Sequence, residues 1–149
     1  PVERPFVFNV ASISWGGVAV QFARNVQVQL RNNVQARWTL NGSLTPAFLR
    51  RENHVQVSGR LTLDFESNSL GPDFSTPTPK RLLIAFTSDV ASPAQFIIDI
   101  PKARLTTYAA GMGGPGPIQL NADFVGEYDT TSAYQIQFTV VNSVAAYDS

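Results

Sequence analysis

Apolar side chains recur at every second position along most of this 149-residue chain. A period of two sends successive side chains to opposite faces of an extended backbone, which is typical of half-buried β-strands rather than helices. The alternation is clearest in residues 55–65, 118–124 and 134–140. The sequence therefore predicts a mainly β fold, an antiparallel β-sandwich or open barrel with at most one short helix.

The longest alternating stretch covers residues 18–40. Its apolar positions keep one phase across Asn32-Asn33, whereas a two-residue turn at that pair would move them to the other face. We therefore expect the pair to interrupt one long strand rather than to end it. About twenty residues greatly exceed the five or six of a typical strand, so we also expect part of this segment to project as a hairpin arm.

Glycine pairs predict two tight turns. Gly16-Gly17 is expected to form a two-residue turn that pairs Trp15 with Val18 on one apolar face. Asn41-Gly42 is the strongest turn dipeptide of the chain. It opens an aperiodic segment in which a short helical turn around Pro46 is compatible with the sequence.

Other proline-rich and glycine-rich stretches predict loops and strand ends. Residues 67–80 contain three prolines and residues 111–117 read GMGGPGP, so both are expected to be irregular. Pro101 is expected to bound a strand. The last two alternating stretches are expected to form a hairpin that pairs Phe124 with Ile136.

Charge is scarce for a chain of this size. Charged residues make up 15% of the sequence, and 11 basic residues balance 11 acidic ones, whereas about 25% is usual in soluble domains. A neutral chain does not attract nucleic acid or an acidic membrane, so neither is expected as a stably bound partner. Low charge indicates a surface that further copies of the chain cover, and a weakly charged monomer is the alternative.

The length fits one domain, residues 1–149, with a core large enough to fold without disulfides. The sequence has no cysteine, no apolar run long enough to span a membrane and no N-terminal signal-peptide pattern. Its single methionine is Met112. Residue 1 therefore follows a removed initiator or lies inside a longer chain.

Residues that usually carry catalysis or bind metal ions are few and scattered. His54 is the only histidine, which excludes paired-histidine sites, and no cysteine is available as a ligand or nucleophile. Asp64, Glu66, Asp99 and Asp123 lie in strand patterns, but 11 acidic residues in one domain produce such proximities by chance. We expect no enzyme activity, no metal ion and no cofactor.

Five segments carry a resemblance to a known family: FARNVQVQLRNNVQARWTL, RRENHVQVSGRLTLDFES, ARLTTY, GPGPIQLNADFVGEYD and YQIQFTVVN. Their order and spacing, over about residues 18–142, resemble the tail tube (major tail) proteins of long-tailed bacteriophages. The resemblance implies a β-sandwich with a flanking helix, whose copies close into rings, usually of six. Stacked rings form the tube through which DNA leaves the capsid. Relatives with two domains per chain form rings of three.

The sequence departs from this family at residues 67–80, where prolines stand in place of the usual helix. The partners that the resemblance implies are further copies of the chain, the tape-measure protein, the terminator and the tail tip, with DNA only passing through. The implied location is the virion tail, after assembly in the host cytoplasm.

Two sets of residues are candidate functional surfaces. Amide side chains hydrate a conduit without holding phosphates as rows of lysine would, and we assign to the lumen Gln27, Gln29, Gln119, Gln135 and Gln137. Residues 41–53 and 67–80 are expected to order against neighbouring subunits or rings. From these segments we assign to the subunit interface Arg50, Arg51, Glu52, Asp73 and Phe74. The arginine pair is either a set of ion-pair donors to a neighbour or part of a solvated loop.

Two other functions compete with a self-assembling structural protein of the tail. The first is a β-sandwich binding module, a carbohydrate- or receptor-binding domain of a tail tip or fibre, with Trp15, Trp38 and Tyr108 as stacking platforms. The phase of both tryptophans matches the apolar faces, which favours the core instead. The second is a lyase or hydrolase, which only the scattered carboxylates support.

Overall fold

Eight of the ten strands in the described residues form one antiparallel sheet, and the other two form a separate hairpin. This computed structural model describes residues 11–40, 44–64, 70–76, 78–87, 94–111 and 118–141. In chain order the elements are β1 Ala11–Trp15, β2 Val18–Ala19, β3 Ala23–Arg31, β4 Val34–Arg37, β5 Phe48–Arg51, β6 Gln56–Asp64, α1 Gly71–Ser75, β7 Lys80–Thr87, β8 Gln95–Gly111, β9 Gln119–Glu127 and β10 Gln137–Val141. The predicted mainly β, antiparallel fold with one short helix is confirmed, and these strands do not close into a barrel.

The core lies on one side of the large sheet. The strand order is β2-β1-β7-β8-β9-β6-β3, and β10 pairs with the first part of β8. Buried side chains from both ends of this order belong to one cluster, in which Trp15, Leu61, Ile84 and Phe124 are each at most 3% exposed. Burial of apolar surface is the main favourable term in folding, so the alternating pattern is what allows this sheet to form.

Strand β8 continues through Pro101, so the prediction that this proline bounds a strand is wrong. Pro101 lies between Asp99, the last β8 residue that pairs with β10, and Lys102, the first that pairs with β9. On the other edge the register with β7 shifts between Lys80 and Leu82. Proline has no N–H to donate, and it is tolerated where a bulge and a change of partner coincide.

The pair Asn32-Asn33 ends β3, so the prediction of one long strand is wrong. Asn33 has a left-handed φ of 49°, and its side-chain amide donates a hydrogen bond to the His54 carbonyl over 2.7 Å. After this corner β4 pairs with β5 in a hairpin whose paired residues are all exposed. The predicted hairpin arm is therefore present, and we call residues 34–51 the arm. Pro46 precedes β5 without a helical turn, and the predicted Asn41-Gly42 turn lies outside the described residues.

The turn at Gly16-Gly17 is confirmed. The two glycines have φ values of 59° and 84°, a conformation that glycine adopts without steric cost, and Trp15 pairs with Val18. Val18 is nevertheless 70% exposed. The reason is that β2 is a two-residue strand at the edge of the sheet and covers no core.

Strand β10 pairs with β8 rather than β9, so the predicted hairpin of Phe124 with Ile136 is wrong. Both edges of β9 are occupied, by β6 and by β8. After β9 the carboxylate of Asp129 accepts a hydrogen bond from the backbone N–H of Ser132 over 2.9 Å. This turn carries the chain past β9 to the free edge of β8.

Helix α1 lies within residues 67–80, which the sequence predicts to be a loop. Pro72 is in the first turn, where the backbone N–H groups have no partner within the helix. Asp73 holds the helix on the sheet, because its carboxylate accepts a hydrogen bond from the Trp15 indole at 2.9 Å and lies 2.6 Å from the Lys80 ammonium. Among the described residues, no helix is long and apolar enough to cross a membrane.

Candidate functional site

The outer side of β3, β6, β9 and the second part of β8 is polar. The register aligns its side chains in rows across the strands, and in one row Gln27 lies beside Arg60 and Arg60 beside Asp123. The residues between these positions, such as Leu61 and Ala122, are buried. We call the outer side the polar face; besides the apolar Ala109 and Val125 it comprises Asn25, Gln27, Gln29, Ser58, Arg60, Thr62, Thr107, Gln119, Asn121 and Asp123.

Arginine on the polar face is paired with carboxylate. The Nε and Nη2 atoms of Arg60 donate to the two carboxylate oxygens of Asp123 at 2.5 and 3.1 Å, a bidentate geometry. This hydrogen bonding lowers the pKa of Asp123 below its ordinary value, although partial burial opposes the shift. Two further ion pairs flank the face: Arg104 with Glu127 and Arg24 with Asp64.

The strands of the polar face end, on both sides, in edges that have no partner strand among the described residues. β3 pairs with β6 along one edge only, and residues 104–111 of β8 pair with β9 along one edge only. The two open edges have nearly equal lengths. Such an edge presents a row of N–H and C=O groups that can bind another strand.

Three of the five glutamines assigned to the lumen share the polar face. Gln27 and Gln29 are exposed on β3, and Gln119 is exposed on β9. Gln137 lies on β10, in the other half of the sheet. Gln135 precedes β10 and donates its side-chain amide to a backbone carbonyl of β9 over 2.7 Å. The structure therefore brings together the first three on the polar face, places Gln135 beside Gln29 in the lining of one cavity, and separates Gln137 from them.

Arg50, Arg51 and Glu52 lie at the end of the arm. Glu52 forms an ion pair with Arg37 of β4, and Arg51 donates to the side-chain oxygen of Asn32 over 3.0 Å. These contacts hold the two strands of the arm together. Both arginines are exposed, so they retain surface for contact with another molecule.

The arm also exposes large apolar side chains. Trp38 is 63% exposed and Leu49 is 71% exposed. The prediction that both tryptophans lie in the core is therefore confirmed for Trp15 and wrong for Trp38, because the arm leaves the sheet. A cluster of exposed apolar side chains is typical of a contact surface.

Asp73 and Phe74 belong to α1, a different element from the arm. Asp73 is engaged within the chain, as described above, and positions the helix. Phe74 is 39% exposed and stacks on Tyr108 with ring centroids 5.8 Å apart. Of these two residues, Phe74 is the one that presents surface to a neighbour.

A second charge network, centred on Asp99, was not expected from the sequence. Arg81 donates to both carboxylate oxygens at 2.8 and 2.7 Å, and the Tyr134 hydroxyl donates to one of them at 2.7 Å. Asp99 is only 5% exposed. Burial raises its pKa, but the hydrogen bonds from Arg81 and Tyr134 outweigh burial and lower it. The available signal was one carboxylate within the otherwise apolar residues 96–101 of β8.

The carboxylates that the structure describes do not assemble a recognisable catalytic or metal-binding site. Asp64, Asp99 and Asp123 each pair with an arginine, and a paired carboxylate is a poor proton donor at neutral pH. Within the described ranges no three histidine, aspartate or glutamate side chains converge as ion ligands. Glu66 lies outside these ranges.

A family model described as phage tail tube protein matches residues 1–126. The chain belongs to the phage tail tube protein family. It is therefore a structural component of a phage tail. The resemblance implied a flanking helix where this sequence has prolines, and in this tail tube protein the five-residue helix α1 lies within residues 67–80. No curated protein matches the chain.

Two solved assemblies contain chains with the fold of this tail tube protein. The cryo-EM structure of the anti-feeding prophage cap, a tube-terminating cap, matches with a TM-score of 0.63 at 10% identity over 95% of each chain. The cryo-EM structure of the anti-feeding prophage baseplate matches with a TM-score of 0.62 at 11% identity, over 93% of this chain and 97% of the other. At these identities the likeness shows a shared fold.

Proposed function

We propose that this tail tube protein is a ring-forming subunit whose copies join edge to edge, and that the rings stack into a tube along which DNA passes. The observation that carries the proposal is the region β8-β9-β6-β3, which has one polar face, one buried face and, in the described chain, two open edges. Open edges promote uncontrolled aggregation, and closure into a barrel removes them.

Strand direction permits such closure. Neighbouring strands of the region are antiparallel, and their number is even. When copies are related by rotation about the tube axis, β3 of one copy therefore runs antiparallel to β8 of the next. Because the two edges have similar lengths, most of their N–H and C=O groups find partners. The contact is head-to-tail, and a ring closes without a free edge.

Six copies, the number usual in the family, would form a barrel of about 24 strands. Barrels of about 16–18 strands already enclose an aqueous channel, so the larger barrel leaves room for duplex DNA. We place the polar face on the lumen, because amides and paired charges hydrate a surface without holding phosphates. Gln27, Gln29 and Gln119 then line the lumen.

The arm provides contacts to a neighbouring subunit or ring in this proposal. Its exposed apolar side chains and Arg50 and Arg51 are available for such contacts, and Phe74 adds surface beside β8. The remaining proposed partners are the tape-measure protein inside the tube, the terminator and the tail tip. Assembly takes place in the host cytoplasm.

Cysteine cross-linking tests the proposed contact between β3 of one copy and β8 of the next. The chain contains no native cysteine that could form other disulfides. The test variant carries Gln27→Cys on β3 and Thr107→Cys on β8, both on the polar face beside an open edge. Gln27→Cys with Ala109→Cys samples the neighbouring register on the same face. Oxidation of assembled protein is expected to give a ladder of covalent oligomers that ends at the ring size, seen by denaturing electrophoresis.

The matched control replaces Gln27→Cys by Ser58→Cys. β6 lies between β3 and β9, so Ser58 does not reach another copy across the join. Tubes in negative-stain images without a ladder at any tested register would contradict the edge-to-edge join. A wild-type chain that stays monomeric at high concentration would contradict the proposed function itself.

A further inference from the structure

We infer that Asp123 determines the specificity of the polar face: it occupies the guanidinium of Arg60, so that this surface passes a polyanion such as DNA without binding it. The inference rests on the proposed function in one respect, namely that DNA is the molecule which the polar face meets. The pairing of Arg60 with Asp123 lies within one chain and does not depend on assembly.

The geometry of the pair supports this role. Asp123 accepts hydrogen bonds from Nε and Nη2 of Arg60, the donors that a phosphate would otherwise engage in the same bidentate way. The Arg60 side chain is 57% exposed, so a phosphate could reach it if the carboxylate were absent. The negative charge of Asp123 also repels an approaching phosphate.

Two further arginines beside this surface also have a carboxylate neighbour, without the bidentate hydrogen bonding of the first pair. Arg104 with Glu127 and Arg24 with Asp64 also join neighbouring strands, and their arginines are 48% and 50% exposed. Ion pairs between exposed side chains contribute little to folding stability. Folding stability therefore does not explain these pairs. Neutralising each arginine on a surface that a polyanion passes does explain them.

One arginine of this region lacks such a partner. Arg31, at the end of β3, forms no ion pair within the described part of the chain. It lies at the end of the strand nearest the arm. Together with the exposed arginines of the arm, it sets the baseline affinity for DNA that the wild-type chain is expected to show.

The test variant is Asp123→Asn, which keeps the shape of the side chain and removes its charge. Binding of a fluorescently labelled DNA duplex is measured by anisotropy over a range of salt concentrations. We expect the affinity at low salt to rise by about tenfold. The slope of log affinity against log salt should steepen by about one, because one more phosphate is neutralised per site.

Two controls separate the effect of Arg60 from that of net charge. The double variant Arg60→Gln with Asp123→Asn is expected to bind DNA as weakly as the wild type. Asp99→Asn makes the same change in net charge and releases Arg81 in the other half of the sheet, away from both the polar face and the arm. It should raise the affinity much less, because the released guanidinium lies away from the hydrogen-bond donors of the polar face. An equal rise in folded Asp99→Asn, or a rise that persists in the double variant, would overturn the inference.

Circular dichroism shows whether each variant is folded, and Glu127→Gln, which releases Arg104, replaces Asp123→Asn if that variant is not. Binding is measured both on the unassembled chain and on tubes. If wild-type tubes do not form, the proposed function fails while the DNA measurement on the chain still stands. If folded Asp123→Asn binds DNA no better than the wild type, the inference fails whether or not tubes form.

Discussion

Single residues control how closely the strands of this sheet approach each other. Gly59 lies on the apolar side of β6, where the sequence predicts a close approach. A Cβ atom at this position would overlap the backbone oxygen of Gln27 and Cζ of Phe124. Rotation of a side chain could not relieve the contact with a backbone atom. The glycine therefore permits both the β3–β6 pairing and the burial of Phe124.

We expect Gly59→Ala to lower the free energy of unfolding by about 3 kcal/mol or more, because overpacking against backbone forces β3 and β6 apart. Urea denaturation followed by circular dichroism measures the change. The matched control is Gly111→Ala, whose Cβ would meet, among the described residues, the Gln119 backbone oxygen at 3.8 Å and should change stability by less than about 1 kcal/mol. Equal stability of the two variants would contradict this account.

At the scale of elements, β8 and the arm have different roles. β8 pairs with β7, β10 and β9 along its 17 residues, so it links the two halves of the sheet. The arm pairs only with itself in the described structure and exposes both its charges and its apolar side chains. β8 therefore stabilises the fold of the single chain, whereas the arm has surface available for contacts with other subunits.

We expect Arg50→Glu with Arg51→Glu to reduce the yield of tubes several-fold while the fold stays intact, because both side chains are exposed and lie outside the core. Reversal of two charges replaces any attraction to a neighbouring carboxylate by repulsion. Sedimentation and negative-stain imaging measure tube yield, and thermal melting of the unassembled chain checks the fold. Tubes of unchanged length and yield would remove these arginines from the interface and favour the solvated-loop alternative.

At the scale of the whole molecule, paired carboxylates join strands and turns in addition to the hydrophobic core. Asp99 joins β7, β8 and the segment before β10, and Asp123 joins β9 to β6. Asp129 holds the turn after β9 and lies 3.0 Å from the Lys102 ammonium. Its pKa is lowered by hydrogen bonds from the Ser132 hydroxyl, from Lys102 and from the backbone.

These shifts predict acid sensitivity. The pKa values of Asp99, Asp123 and Asp129 are lower in the folded chain than in the unfolded chain, where aspartate titrates near ~3.9. Below that pH the unfolded chain binds more protons, so the free energy of unfolding decreases as the pH falls. We expect stability in urea to be nearly constant from about pH 7 to 5 and to be lost progressively below about pH 4. Asp129→Asn should show a shallower acid loss, and a profile that coincides with the wild type would contradict the role of this carboxylate.

For most strands of the large sheet, the sequence by itself determined where they lie and which of their faces is buried, because alternation is a local property with the period of the strand. The polar positions of β3, β6 and β9, the turn at Gly16-Gly17 and the close approach at Gly59 all follow from it. The family resemblance over most of the chain is also a property of the sequence. That residues 1–149 form one domain stays a prediction.

Only the tertiary structure decided which strands and side chains meet. β10 pairs with β8 because β9 has no free edge, and the arm separates from β3 because Asn33 adopts a left-handed conformation. Asp99 meets partners that are 18 and 35 residues away in the chain. A period of two carries no information about such contacts, because the same alternation fits any partner strand and any position of the strand in the sheet.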